Sequence, residues 1–155
     1  GGVHITGAGS RSGRVAVVGE GEPVNKVESP SSVFTVGNQP NFQNYPGVTP
    51  SALFTAPPSG RVLITHTGNC RTQAEGVGAG FALQVFEAAD RTNVVYSPDF
   101  ANNGISNDNR NCVTLSRTVI VVGLTPNVQY TANQLLTCPG GGNFTFGAIT
   151  IVPIA

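Results

Sequence analysis

The stretch Phe54-Thr55-Ala56-Pro57-Pro58-Ser59-Gly60-Arg61-Val62-Leu63-Ile64-Thr65 limits what this chain can fold into more than any other. Two apolar, partly β-branched runs meet at a Pro-Pro-Ser-Gly corner. Paired prolines stop a helix and the glycine permits a tight turn, so the segment reads as two strands of an antiparallel sheet. The same grammar continues to the C-terminus, with strands expected at about 53–56, 61–67, 81–88, 94–97, 113–122, 128–137 and 143–152. That number suits a sandwich or barrel. Phe81, Leu83 and Val85, and again Val128, Tyr130 and Ala132, alternate as strands with one packed and one wet face do. In the last strand Phe144, Phe146 and Val152 fall on one face and Ile149 and Ile151 on the other, which calls for cover on both sides. No window holds a helical period, so helix is limited to a turn or two.

Residues 1–50 read differently. Strand fragments at 3–6, 14–18 and 32–36 are set in Gly, Asn, Pro and Ser, and 38–47 carries too many breakers for a regular element. The expected organisation is an extended, loop-rich N-terminal arm or linker over 1–50 and a β-domain over 51–155. A chain of 155 residues is one domain's worth and buries roughly 70% of its unfolded surface. The absence of Met, even at position 1, leads to the expectation that the chain is processed or cut from something longer.

Composition narrows the function. Charged residues make up 10%, with 8 basic balancing 8 acidic, against about 25% charged in an ordinary soluble domain. Lys26 is the single lysine and the arginines are scattered from Arg11 to Arg117, so no basic patch is set out for nucleic acid. A weakly charged surface favours association instead. No apolar run approaches the roughly 20 residues that span a bilayer, and no membrane insertion is expected.

Candidate chemistry is sparse, and neither cofactor nor metal is expected. Gly7-Ala8-Gly9-Ser10-Arg11-Ser12-Gly13 imitates a dinucleotide-binding loop, but strand-like Arg14-Val15-Ala16-Val17-Val18 follows where a helix N-terminus is needed. His4 and His66 are the two histidines. No nucleophile-elbow motif accompanies either, so His66 is given a cross-strand or interface role and the chain is read as a non-enzyme. Asp99, Asp108 and the run Asn102-Asn103-Gly104-Ile105-Ser106-Asn107-Asp108-Asn109 match no calcium-loop spacing. They read as a hydrogen-bonded surface loop, with Asn102, Asn103, Asn107, Asp108 and Asn109 as a candidate recognition site. Asn143-Phe144-Thr145 forms a lone glycosylation triplet. Cys70, Cys112 and Cys138 allow one disulfide and a spare thiol, or three reduced thiols, and their spacing does not suggest zinc.

The Phe-Thr pair, Pro-containing corner and Gly of residues 54–65, followed by a strand of large apolar residues, resemble the complement and tumour-necrosis-factor jelly-roll family. Thr118-Val119-Ile120-Val121-Val122-Gly123-Leu124 resembles that family's penultimate hairpin, 128–136 its next strand and 143–153 its closing strand. A narrower resemblance is to the C-terminal domains of tail-fibre and minor tail proteins of actinobacterial phages. It rests on Gly123-Leu124-Thr125-Pro126, Tyr130-Thr131-Ala132 and Ile149-Thr150-Ile151-Val152-Pro153-Ile154; such domains often place basic residues before the final run, where this chain has Phe146-Gly147-Ala148.

The resemblance implies an all-β, antiparallel jelly-roll sandwich in which the strand at 61–67 lies beside that at 113–122. It thereby implies Cys70 and Cys112 as a disulfide candidate, with Cys138 the rival partner for either. It also implies a homotrimer with the closing strand's sheet near the three-fold axis, and Ile149 and Ile151 as trimer-interface candidates. The functional expectation is a non-enzymatic structural virion protein of a phage, a tail-fibre or minor tail domain used in assembly or host attachment. Its expected partners are copies of itself, other virion proteins and a host surface glycan or receptor, and its expected place is the extracellular particle. Two alternatives stand beside it: a capsid decoration protein with residues 1–50 lying on the shell, and a secreted cell-surface or carbohydrate-binding module.

Overall fold

The computed structural model describes residues 24–28, 34–37, 39–44 and 50–155. Among them the chain runs β1 (Val24–Glu28), β2 (Phe34–Val36), β3 (Gln39–Gln43), β4 (Ser51–Thr55), β5 (Arg61–Thr72), β6 (Ala79–Glu87), β7 (Asp90–Tyr96), α1 (Phe100–Asn103), β8 (Ile105–Asn107), β9 (Val113–Val121), β10 (Gln129–Cys138) and β11 (Gly142–Ile154). One sheet has the order β1-β11-β5-β9, with β2 also on β11. The other has the order β3-β10-β6-β7, with β4 also on β10 and β8 on β6. Every pairing is antiparallel. From β4 to β11 the chain passes repeatedly from one sheet to the other, so neighbours within a sheet are distant in sequence. The fold is the antiparallel jelly-roll sandwich that the sequence led us to expect. Among the described residues no helix is long and apolar enough to cross a membrane.

The corner at Pro57-Pro58-Ser59-Gly60 shows why these residues are there. Gly60 N–H closes the turn on the Pro57 carbonyl at 2.9 Å, and the Gly60 carbonyl accepts from Leu124 N–H at 3.0 Å. Gly60 has φ of 67°, and a Cβ on it would lie 2.4 Å from the Leu124 carbonyl oxygen. Glycine is therefore needed twice, for backbone conformation and for close approach. The second turn in this contact, 123–128, is held by Asn127 N–H to the Ala56 carbonyl and Ala56 N–H to the Val128 carbonyl, both at 2.9 Å. Two turns far apart in sequence thus lock the end of the sandwich where β4 passes into β5.

Strand β5 alternates buried and half-buried residues from Val62 to Thr72 without a break. Its inward residues Val62 and Ile64, with Val119, Val121, Ile149 and Ile151 of the same sheet, pack on Phe54, Leu83, Val85, Tyr130 and Ala132 of the other. A second cluster gathers Cys70, Ala79, Phe81, Ile105, Leu136, Cys138 and Phe144. There Phe81 and Phe144 meet edge to face at 5.3 Å, and Gly68 leaves room for the Phe81 ring, which a Cβ would approach to 2.2 Å.

Three expectations are corrected. Ile149 and Ile151 are fully buried in this chain's own core, so they are not at a trimer interface. The reason is a bulge: Phe144 pairs with Cys70 and Phe146 with Asn69, so β11 gains one residue between them and its phase inverts. Phe144, Ile149 and Ile151 consequently share the inward face although simple alternation separates them. Second, Cys70 and Cys112 form no disulfide; both are free, as is Cys138. The strands do lie side by side, but Cys70 is opposite Val113. The one-residue offset leaves Cys70 buried and Cys112 exposed. Burial, followed by the neighbouring Cys112 and Cys138, pushes the Cys70 thiol up to about 12, which keeps it protonated and unreactive. Third, the breaker-rich run at 38–47 contains β3, with Pro40 tolerated because β3 ends its sheet.

Strand β1, which the sequence did not signal, pairs along its whole length with β11. The fragment at 32–36 contributes β2 at its C-terminal end. The fragments at 3–6 and 14–18 lie outside the described residues, as does all of the expected N-terminal arm that precedes β1. The segments described between 24 and 43 are hydrogen-bonded into the sheets rather than separate from them.

Two substitutions check this account by urea denaturation followed with circular dichroism. Gly60→Ala is expected to cost about 1–3 kcal/mol, with native spectra below the transition. Ile151→Asp, which buries an unpaired carboxylate, is expected to abolish the cooperative transition; a folded, merely dissociated domain would contradict the core assignment.

Candidate functional site

Buried polar groups support an open cleft at the corner built around α1. Asp99 caps this single turn. One carboxylate oxygen accepts Ala101 N–H at 2.9 Å and the other accepts Asn102 Nδ2–H at 2.7 Å. The preceding Ser97-Pro98 directs the chain out of β7, since a residue before proline is held extended.

Asn103 anchors the turn from beneath. It is 1% exposed, and its Oδ1 accepts the Leu83 N–H at 2.9 Å and the Asp99 N–H at 3.2 Å while its Nδ2 donates to the Ser97 carbonyl at 2.9 Å. Its own carbonyl lies 2.7 Å from His66 Nε2. Arg117, on β9, closes the outer side by donating to the carbonyls of Phe100 (3.2 Å), Gly104 (2.8 Å) and Ala101 (2.9 Å). A turn between β7 and β8 of one sheet is thus held to β5 and β9 of the other.

His66 is fully buried and its bonds fix its tautomer. The Asn103 carbonyl can only accept, so Nε2 carries the proton and donates. Gln134 Nε2 donates both to the Thr67 carbonyl at 3.1 Å and to His66 Nδ1 at 3.0 Å, so Nδ1 is the acceptor. A second proton on Nδ1 would face the Gln134 amide donor. Burial holds the His66 pKa below its usual value; the Asn103 hydrogen bond opposes this and the positive Arg117 adds to it.

Above the turn lies an open cleft of about 460 Å³. Its apolar lining comes from Phe42 of β3, Val95 and Tyr96 of β7, Pro98 and Phe100; Asp99 and Asn102 supply its polar rim. Phe42 and Phe100 meet edge to face, centroids 5.1 Å apart at 68°. Among the described residues no three His, Cys, Asp or Glu side chains gather as a metal site.

The expected recognition loop proves to be two places. Asn102 is exposed at the cleft and Asn103 is buried beneath it. Asn107 is buried at the other end of β8, donating to the Cys70 and Asn111 carbonyls at 2.9 and 2.8 Å and accepting Asn109 N–H at 3.0 Å. Asp108 and Asn109 are exposed there, and their carbonyls accept from Gly76 and Thr72. Asn103 and Asn107 are thus scaffold. The sequence reading missed Phe42, Tyr96 and Phe100; the available signal was Ser97-Pro98-Asp99, an extended step into a capping aspartate. In the Asn143-Phe144-Thr145 triplet Asn143 is buried, with Gln73 Nε2 donating to its Oδ1 at 3.4 Å.

No family model and no curated protein matches this chain. Solved structures do. A chain of the T=1 particles derived from infectious bursal virus aligns over 96% of this chain with a TM-score of 0.54 at 14% identity. A chain of infectious bursal disease virus, Gt strain, aligns over 96% with a TM-score of 0.53 at 15% identity. This chain spans 36% of the length of each. Eiger TNF from S. frugiperda matches more loosely, with a TM-score of 0.44 at 7% identity over 86% of this chain and 92% of that one. At these identities the likeness is one of fold.

The buried imidazole predicts a pH response. A histidine whose folded pKa lies below its unfolded value binds its proton more readily in the unfolded chain. Its stability contribution is therefore complete above about pH 6.5 and is lost as pH falls from there through the depressed folded value. Urea midpoints measured from pH 8 to 5 are expected to fall below about pH 6.5, and His66→Gln is expected to flatten that part of the profile.

Proposed function

We propose that this chain is a non-enzymatic structural component of a virus particle, within that class a phage tail-fibre or minor tail domain. The observation that carries the reading is the alignment of 96% of the chain with part of a chain from infectious bursal disease virus and from its derived T=1 particles. The family-like corner, now docked on the 123–128 turn, and the low charge are consistent with a part made to be packed beside others. A capsid decoration protein is the second reading within the same class. The cleft at α1 favours the carbohydrate-binding alternative, either as a separate role or as the attachment function of a tail domain.

Self-association has a better surface than Ile149 and Ile151. On the outer face of the β11-β5-β9 sheet, Val152 pairs with Leu63 and Leu63 with Ile120, an apolar row that ends in Ile120 at 55% exposure and continues to Val122 at 61%. The next rows are Thr150-Thr65-Thr118 and Ala148-Thr67-Ser116. None of the side chains in these three rows is ionisable; the nearest charge on the face is Arg61, one row beyond Leu63 beside Val122.

Mass spectrometry of purified particles, with immunogold labelling in the electron microscope, tests the reading. Label on the tail supports the tail assignment and label on the shell the decoration role, whereas chain found only free of particles sinks both. Light scattering tests the surface. Ile120→Arg is expected to reduce a trimer to monomers without lowering the melting temperature, and a wild-type monomer at micromolar concentration would remove the trimer.

A further inference from the structure

We propose that the cleft over α1 is a binding site for a neutral carbohydrate, taking one sugar unit of a glycan. A sugar ring has an apolar C–H face and a rim of hydroxyls, and the cleft offers the complement of both. Phe42, Tyr96 and Phe100 give aromatic surface, with Val95 and Pro98 beside them. The Asp99 carboxylate and the Asn102 amide give acceptors and donors on the same side. The volume of about 460 Å³ falls in the roughly 300–1,000 Å³ of ordinary ligand sites.

The polar groups are placed and still have capacity. Each Asp99 oxygen takes one bond, from Ala101 N–H and from Asn102 Nδ2–H, and a carboxylate oxygen has lone pairs for another donor. That pair of bonds fixes the carboxylate and turns the Asn102 amide, whose Oδ1 makes no hydrogen bond among the described residues; the Tyr96 hydroxyl makes none either. A ligand bringing several hydroxyls satisfies all three. The floor is tied down, because Asn103, His66 and Arg117 hold the turn through the bonds described above. A preorganised site loses less entropy on binding.

Charge selects against the alternatives. An anionic ligand meets Asp99 with no cation in the lining to offset it. An ammonium ligand would find Asp99, but the aromatic cage that holds such ligands is built from converging ring faces, and the edge-to-face contact of Phe42 with Phe100 takes one of them. The Arg117 guanidinium also stands against the turn's carbonyls. A neutral polyol remains. The assignment stands on the cleft alone and not on the virion reading, so either can fail without the other.

The test is saturation-transfer and amide-shift NMR on the 155-residue chain, with neutral oligosaccharides of glucose, galactose, mannose and N-acetylglucosamine and with choline as the cationic control. Expected is millimolar-range or tighter binding of at least one oligosaccharide, with shifts confined to Phe42 and 95–103. Asp99→Asn retains a capping acceptor and Asn102→Ala removes only an exposed amide. Each is expected to weaken binding at least tenfold while leaving the melting temperature within a few degrees. The proposal is overturned if no oligosaccharide binds, if shifts map elsewhere, if choline binds in preference, or if both folded variants bind like the wild type.

Discussion

One extra residue in β11 decides which side chains this molecule can bury. The step from the Phe144–Cys70 pair to the Phe146–Asn69 pair shifts a long central strand from one phase of alternation to the other. Without it, a strand that turned Phe144 inward would turn Ile149 and Ile151 to solvent. Each isoleucine is worth roughly 1.5–3 kcal/mol when buried, and the core cluster that includes Ile64 and Leu83 would lose both. The bulge lets one strand serve both clusters, Phe144 in one and the two isoleucines in the other. His66 lies opposite Ile149 on β5, between those clusters, where a polar side chain can be fully bonded without interrupting either.

The strands after residue 50 were largely legible because their evidence is local. Pro57-Pro58, Gly60 and Gly123-Leu124-Thr125-Pro126 punctuate them, and the alternation of Phe81, Leu83 and Val85 and of Val128, Tyr130 and Ala132 marks strands. The wet face expected for them is corrected, since β6 and most of β10 are buried on both faces. What was illegible depends on distant partners. In Phe144-Thr145-Phe146-Gly147 only the glycine hints at a bulge, and its place shows only in the pairing of Phe144 with Cys70 and Phe146 with Asn69. β1 and β3 are strands through pairing with β11 and β10, not through their own propensity. The offset that separates Cys70 from Cys112 is a register, and a one-residue slip changes every facing.

The candidate site divides along the same line. Asn102 and its neighbours were visible as polar loop, but the division into scaffold and surface was not, since Asn103 and Asn107 are distinguished from Asn102 and Asn109 only by what covers them. His66 was assigned an ordinary place in a strand. Its actual partner is a carbonyl 37 residues away, supplied by a turn that the sequence shows as a capping aspartate and little more. The arrangement pairs a rigid, fully bonded underside with an open, incompletely bonded top. Function commonly resides on such loops held by a firm scaffold.

The outer face of the β11-β5-β9 sheet carries one more consequence. Its hydroxyls and amide bond sideways to one another: Thr65 with Thr118 and Thr67 with Ser116 at 2.8 Å, Asn69 with Thr114 at 2.9 Å. Groups that satisfy each other hold surrounding water less tightly, and the methyls of the threonines and the row at Leu63 and Ile120 set the character of the surface. Salt acts on contacts by screening charge over about 8–10 Å, and on β5 the charges of this face, Arg61 and Arg71, stand at its two ends with the uncharged rows between them. A contact confined to the middle rows would therefore depend on salt far less than one that reached either arginine.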